Sequence, residues 1–239
     1  MDSNLIANLL SLTLFAVSLV IVVRSFYRYA RFPNRRLFIL GLSMTIIALT
    51  ALAGFAGDNI TAISLNVDWF NYIGQTVSFL FILLSLWGNS DRYLRRLTRW
   101  HIIISSLLLI LLLLAPLLPS DFPDPSVTKS LLSGSRGAIS LIICITYITS
   151  FMRKENHFNL LMSGAFILIS LGYFIIIPKY FQPNATLDHV GDILRITGFL
   201  TFLVAILIGE PARAPDEDTV RSARALLVQR QALNRRPLS

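Results

Sequence analysis

Apolar residues in this chain come in long runs rather than in stripes. They run from Leu5 to Val23, Leu37 to Ala56, Ile63 to Trp87, His101 to Leu118, Leu131 to Met152, Leu160 to Phe181 and Leu187 to Ile208. Over most of its length each run is apolar around the whole helical circumference, so it has no polar face to turn toward water. A helix needs about 20 such residues to cross a hydrocarbon core about 30 Å thick. Backbone groups in lipid must be satisfied within the segment, which selects helices and leaves no need for strands. The pattern predicts an all-α polytopic membrane protein, a bundle of seven transmembrane helices forming one domain over residues 1–209. Residues 210–239 follow as a polar tail.

Composition supports that class. The chain of 239 residues is 54% hydrophobic and only 14% charged, against about 25% charged in soluble domains. A net charge of +8 would point to nucleic acid in a soluble protein. Here the basic residues sit between the apolar runs, where topology control accounts for them, rather than on a folded soluble surface with interleaved aromatics as nucleic-acid binding requires. Of the 21 lysines and arginines, 17 follow spans one, three, five and seven; the exceptions are Lys129, Arg136, Lys179 and Arg195. By the positive-inside rule this bias places the N-terminus outside and the C-terminus in the cytoplasm of a cell (plasma) membrane. The odd span count agrees with it.

Three basic turns, YRYARFPNRRLFIL, DRYLRRLTRWHIII and SFMRKENHFNLLM, look alike. They fit either a repeated helical hairpin or the general demand for positive charge in short cytoplasmic turns. In the tail, Pro211 and Pro215 end the last span, and VRSARALLVQRQALNRR predicts a basic amphipathic helix suited to the inner leaflet or to a protein partner. A partly ordered, solvated tail fits the same residues.

Catalytic signatures are missing, so the chain reads as a non-enzyme. The motifs HExxH and GxSxG are absent, and the only glutamates, Glu155, Glu210 and Glu217, lie outside the spans. His101 and His157 belong to one side and His189 to the other, so they do not converge on a metal. Cys144, the single cysteine, lies within an apolar run and reads as a core residue. No metal or cofactor is implied.

The chemistry that remains is a set of polar residues inside spans. A charge there costs at least about 2.5–3.5 kcal/mol, so each is a candidate for function. Asp192 and Arg195 are one turn apart on span seven, with Asp188 a further turn toward the outside. Span three carries Asp68, Asn71 or Tyr72, Gln75 and Ser78 at helical spacing, and span five carries Ser133, Ser135, Arg136 and Ser140. All fall in the outer half. The pattern predicts an outward-facing polar pocket formed by Asp68, Tyr72, Gln75, Arg136, Asp192 and Arg195, with the two arginines facing the two aspartates. Such a pocket suits a small polar or anionic ligand, because a guanidinium is a strong bidentate partner for carboxylate or phosphate. The same groups also serve plain helix packing, at about 0.6 kcal/mol per polar pair.

Asp192, Leu194-Arg195 and Gly198-Phe199 in the last span resemble a motif of the seven-helix membrane sensor regions of bacterial signalling proteins. The resemblance implies a sensor or receptor-like module. No output domain follows Glu210, so it implies signalling through a protein partner at the cytoplasmic turns and tail. Asp91-Arg92-Tyr93 is similar to the DRY motif of G-protein-coupled receptors, but the companion NPxxY and CWxP motifs are missing. Retinal attachment is excluded, since span seven has no lysine. A non-catalytic subunit of a larger membrane complex is the alternative, and a small-solute transporter the third reading.

Overall fold

The computed structural model describes residues 3–59, 67–88, 90–114, 117, 125–182 and 185–208. Seven helices follow in order: α1 (Ser3–Arg31), α2 (Arg35–Asn59), α3 (Asp68–Trp87), α4 (Asp91–Leu113), α5 (Pro125–Lys154), α6 (His157–Ile176) and α7 (Ala185–Ile208). Every one is long and apolar enough to cross a membrane. The described residues contain no strand. The molecule is a multi-pass, all-helical membrane protein. The predicted tail helix lies outside the described residues.

Three helix starts differ from the apolar runs by more than a turn, and that of α5 is Pro125 rather than Leu131. Helix α4 begins at Asp91 rather than His101, because Leu94 and Leu97 on its arginine-rich first turns are buried against α3. Helix α3 begins at Asp68, so the Asp68 carboxylate stands in its first turn, where the helix dipole favours an anion. Helix α6 gives way after Ile176 to a short 3₁₀ turn, Ile177–Tyr180, containing Pro178. Proline lacks the N–H that an α-helix would need there.

Helices α1, α2, α3, α5, α6 and α7 pack in that sequence, and α7 returns to α1, so six helices close a ring. Helix α4 stands outside it, against α2 and α3. The three hairpins are therefore not equivalent: α1–α2 and α5–α6 pack extensively, while α3 and α4 share a much smaller contact. The α5–α6 turn is made by two residues. Glu155 adopts a left-handed φ of 46° that ends α5, and the Asn156 side chain then accepts a 2.9 Å hydrogen bond from the Phe158 N–H to cap α6.

The ring interior has two halves. Toward the arginine-bearing turns it is filled by Ile21, Met44, Phe79, Ile143, Phe166 and Phe202 with their neighbours. Toward the other end it turns polar. Between α6 and α7 the backbones themselves touch. A Cβ on Gly172 would stand 2.7 Å from the Gly191 carbonyl oxygen, and one on Gly198 would stand 2.9 Å from the Ala165 carbonyl oxygen. Small residues allow such approach where no water is present to drive helices together.

Candidate functional site

The polar half is organised by Gln75, buried on α3. Its Oε1 accepts from Arg136 Nη1 on α5 at 2.6 Å and from the Tyr173 hydroxyl on α6 at 3.0 Å. Its Nε2 donates to Asn71 Oδ1 at 2.7 Å and to Thr50 Oγ1 on α2 at 3.3 Å. One amide thus joins four helices with both ends occupied, which is what a buried amide requires.

Arg136 is only 3% exposed. Its other donors go to the Leu132 carbonyl at 3.2 Å and the Ser133 hydroxyl at 3.3 Å. The guanidinium carbon lies 4.9 Å from the Tyr72 ring centre and 4.5 Å from that of Tyr173. Two aromatic faces thus help to stabilise a cation held away from water. The Tyr72 hydroxyl lies 3.2 Å from that of Tyr180, beyond the end of α6.

The expected pairing of Arg136 and Arg195 with Asp68 and Asp192 holds only in part. Arg195 and Asp192 form an ion pair one turn apart on α7. Asp68 instead pairs with Lys129 at 2.6 Å, and Asp188 pairs with Lys179. The reason is axial: Lys129 lies two helical turns, about 10 Å, closer than Arg136 to the end of the bundle, level with the first turn of α3. Asp68 and Lys129 are half-exposed and form a rim. None of the ion pairs among the described residues includes Arg136.

Below the rim, a cavity of about 180 Å³ opens between α1, α2, α3, α6 and α7. Its polar wall is Thr50, Asn71, Gln75, Tyr173, Asp192 and Arg195; Leu14, Ile196 and Phe199 supply apolar wall. At roughly 30 Å³ per water, it holds a few waters or a ligand of a handful of atoms. Arg195 crosses the Tyr173 ring at 5.2 Å, and its Nε is buried with no hydrogen-bond partner among the described residues.

Of the residues expected to form the pocket, Gln75, Asp192 and Arg195 line this cavity. Tyr72 and Arg136 stand behind Gln75 and Tyr173, and Asp68 is at the rim. Tyr173 and Thr50 complete the site without having been singled out in the sequence. The signal for Tyr173 was its seven-residue spacing from Tyr180 on a span that is otherwise mostly apolar. Among the described residues, no three His, Cys, Asp or Glu side chains gather as a metal site would need. Comparison with protein-family models, with curated proteins and with solved structures gave no match for this chain.

Proposed function

We propose that this protein is a membrane sensor or receptor-like module whose cavity takes a small polar or anionic ligand from the outer side, and that it reports through a protein partner. The observation that carries this reading is the cavity itself, a polar site walled by five helices and floored by apolar core. Arg195, with one donor unused, and Asn71 are the groups that would hold the ligand. Because α7 touches α6 backbone to backbone, ligand entry would move those two helices together against α1, α2 and α3.

The test is a thermal-shift screen of small carboxylates, phosphates and zwitterions on the purified protein in mild detergent. A ligand that raises the melting temperature of wild type, but not of Arg195→Leu or Asp192→Asn, supports the sensor. Stoichiometric co-purification of a multi-subunit assembly from native membranes, with no ligand response, sinks it. That outcome would favour the second reading, a non-catalytic subunit of a membrane complex, for which the broad apolar outer face of α4 is the supporting feature. Transport is a weaker reading, since the apolar core closes the path and the interruption at Pro178 lies near a helix end rather than at the midplane.

A further inference from the structure

We propose that the outward face of α4 binds the headgroup of an anionic phospholipid. Arg92, Arg95, Arg96 and Arg99 are spaced i, i+3, i+4, i+7, so four guanidinium groups share one helical face within about two turns. All four are exposed, and none forms an ion pair with another described residue. With Tyr93, Trp100 and Ile103 they line an open cleft of about 730 Å³. Like charges at this spacing repel unless an anion sits among them, and a phosphate accepts two parallel N–H bonds from each guanidinium it meets.

The same face continues down the helix as Trp100, Ile103, Leu107 and Ile110, each at least half exposed. Read along its axis, α4 presents arginines, then an amphipathic indole of the kind that sits at headgroup level, then bare aliphatic side chains. That order matches a lipid molecule lying along the helix, phosphate against the arginines and acyl chain against the aliphatics. An acidic protein segment would match the arginines but leave the apolar continuation unexplained. A plain topology signal requires positive charge but not its concentration on one face.

The test uses the full chain in nanodiscs of phosphatidylcholine containing about one fifth phosphatidylglycerol, with bromine on the acyl chains of one lipid or the other. Trp100 emission is taken as the difference between wild type and Trp100→Phe. At matched bromolipid content, brominated phosphatidylglycerol is expected to quench Trp100 several-fold more effectively than brominated phosphatidylcholine, given about 1 kcal/mol of attraction per basic residue near an anionic surface. Arg95→Gln/Arg96→Gln/Arg99→Gln should abolish the preference, while Arg31→Gln/Arg153→Gln, at other turns, should keep it. Equal quenching by the two lipids in wild type overturns the proposal without any variant having to fold. So does a preference that survives the triple substitution. Equal quenching by the two lipids together with saturable, arginine-dependent binding of inorganic phosphate would assign the face to a soluble anion, and the same with a hexaglutamate peptide would assign it to a protein; either outcome overturns the lipid.

Discussion

Helices α7 and α4 are both apolar spans of similar length, yet they are held in different ways. Helix α7 meets α6 through backbone, with Gly172, Gly191 and Gly198 bringing main chain against main chain. Helix α4 meets α2 and α3 through its side chains: Leu94, Leu97 and Leu108 in shallow apolar clusters, the Tyr93 hydroxyl donating to the Leu84 carbonyl at 3.2 Å, and His101, whose Nε2 lies 3.2 Å from Ser43 Oγ and whose ring centre stands 4.1 Å from that of Phe81. The first joint is fixed by shape and has nowhere to relax. The second is a set of separable contacts on a helix whose outer face no other described helix covers.

The sharpest way to break that contrast is to put bulk into the α6–α7 seam. Gly172→Leu or Gly198→Leu places atoms where backbone already stands, beyond the usual 1–3 kcal/mol of overpacking, and little folded protein should survive extraction in detergent. Gly164→Ala on the same helix meets no atom within 4 Å. It should leave the melting temperature unchanged or raise it slightly, by up to about 1 kcal/mol of helix propensity.

The α3–α5 joint lies between the two extremes, and a double-mutant cycle measures it. Gln75→Leu removes the closest hydrogen-bond partner of a buried guanidinium and should cost about 1.5–3 kcal/mol. Gln75→Leu combined with Arg136→Leu should cost less than Gln75→Leu alone, because the charge leaves with its partner. Thermal unfolding of the four proteins reads the coupling; additive losses would mean that Arg136 is satisfied by Tyr72 and Tyr173 without Gln75.

Smaller effects are expected at α4. His101→Leu should cost about 0.5–1.5 kcal/mol, the worth of one modest hydrogen bond, and should speed hydrogen exchange in α4 without changing it in α6 or α7. If exchange rises in all three, α4 belongs to the ring's cooperative unit and the contrast fails. Smallest of all is the rim. Lys129→Gln should change stability by no more than about 1 kcal/mol, since Lys129 and its partner Asp68 are partly exposed to solvent screening.

Much of this architecture was legible in the chain. The seven spans follow from the length of the apolar runs, and the Asp192–Arg195 pair from their three-residue spacing. Asp68 was misplaced because apolar residues before a helix look like the helix: Ile63 and Leu65 extend the run, but α3 starts at Asp68. The start of α4 was missed for the opposite reason. Its first turns are rich in arginine and read as a loop, although Leu94, Leu97, His101, Ser105 and Leu108 mark a buried stripe at steps of three and four. The partners of Arg136 were out of reach, because which glutamine and which tyrosines meet it depends on how three helices pack. Periodicity on one helix carries no information about that.

The closure of the ring also has a bearing on time. Neighbouring hairpins such as α5–α6 can pair as soon as both helices are made, since short loops close quickly. The α1–α7 contact joins the ends of the described bundle and must await the last helix. The cavity takes wall from both of those helices, so it comes into being only at the final step of assembly. A nascent chain lacking α7 still has all the partners of Arg136, but it has no cavity.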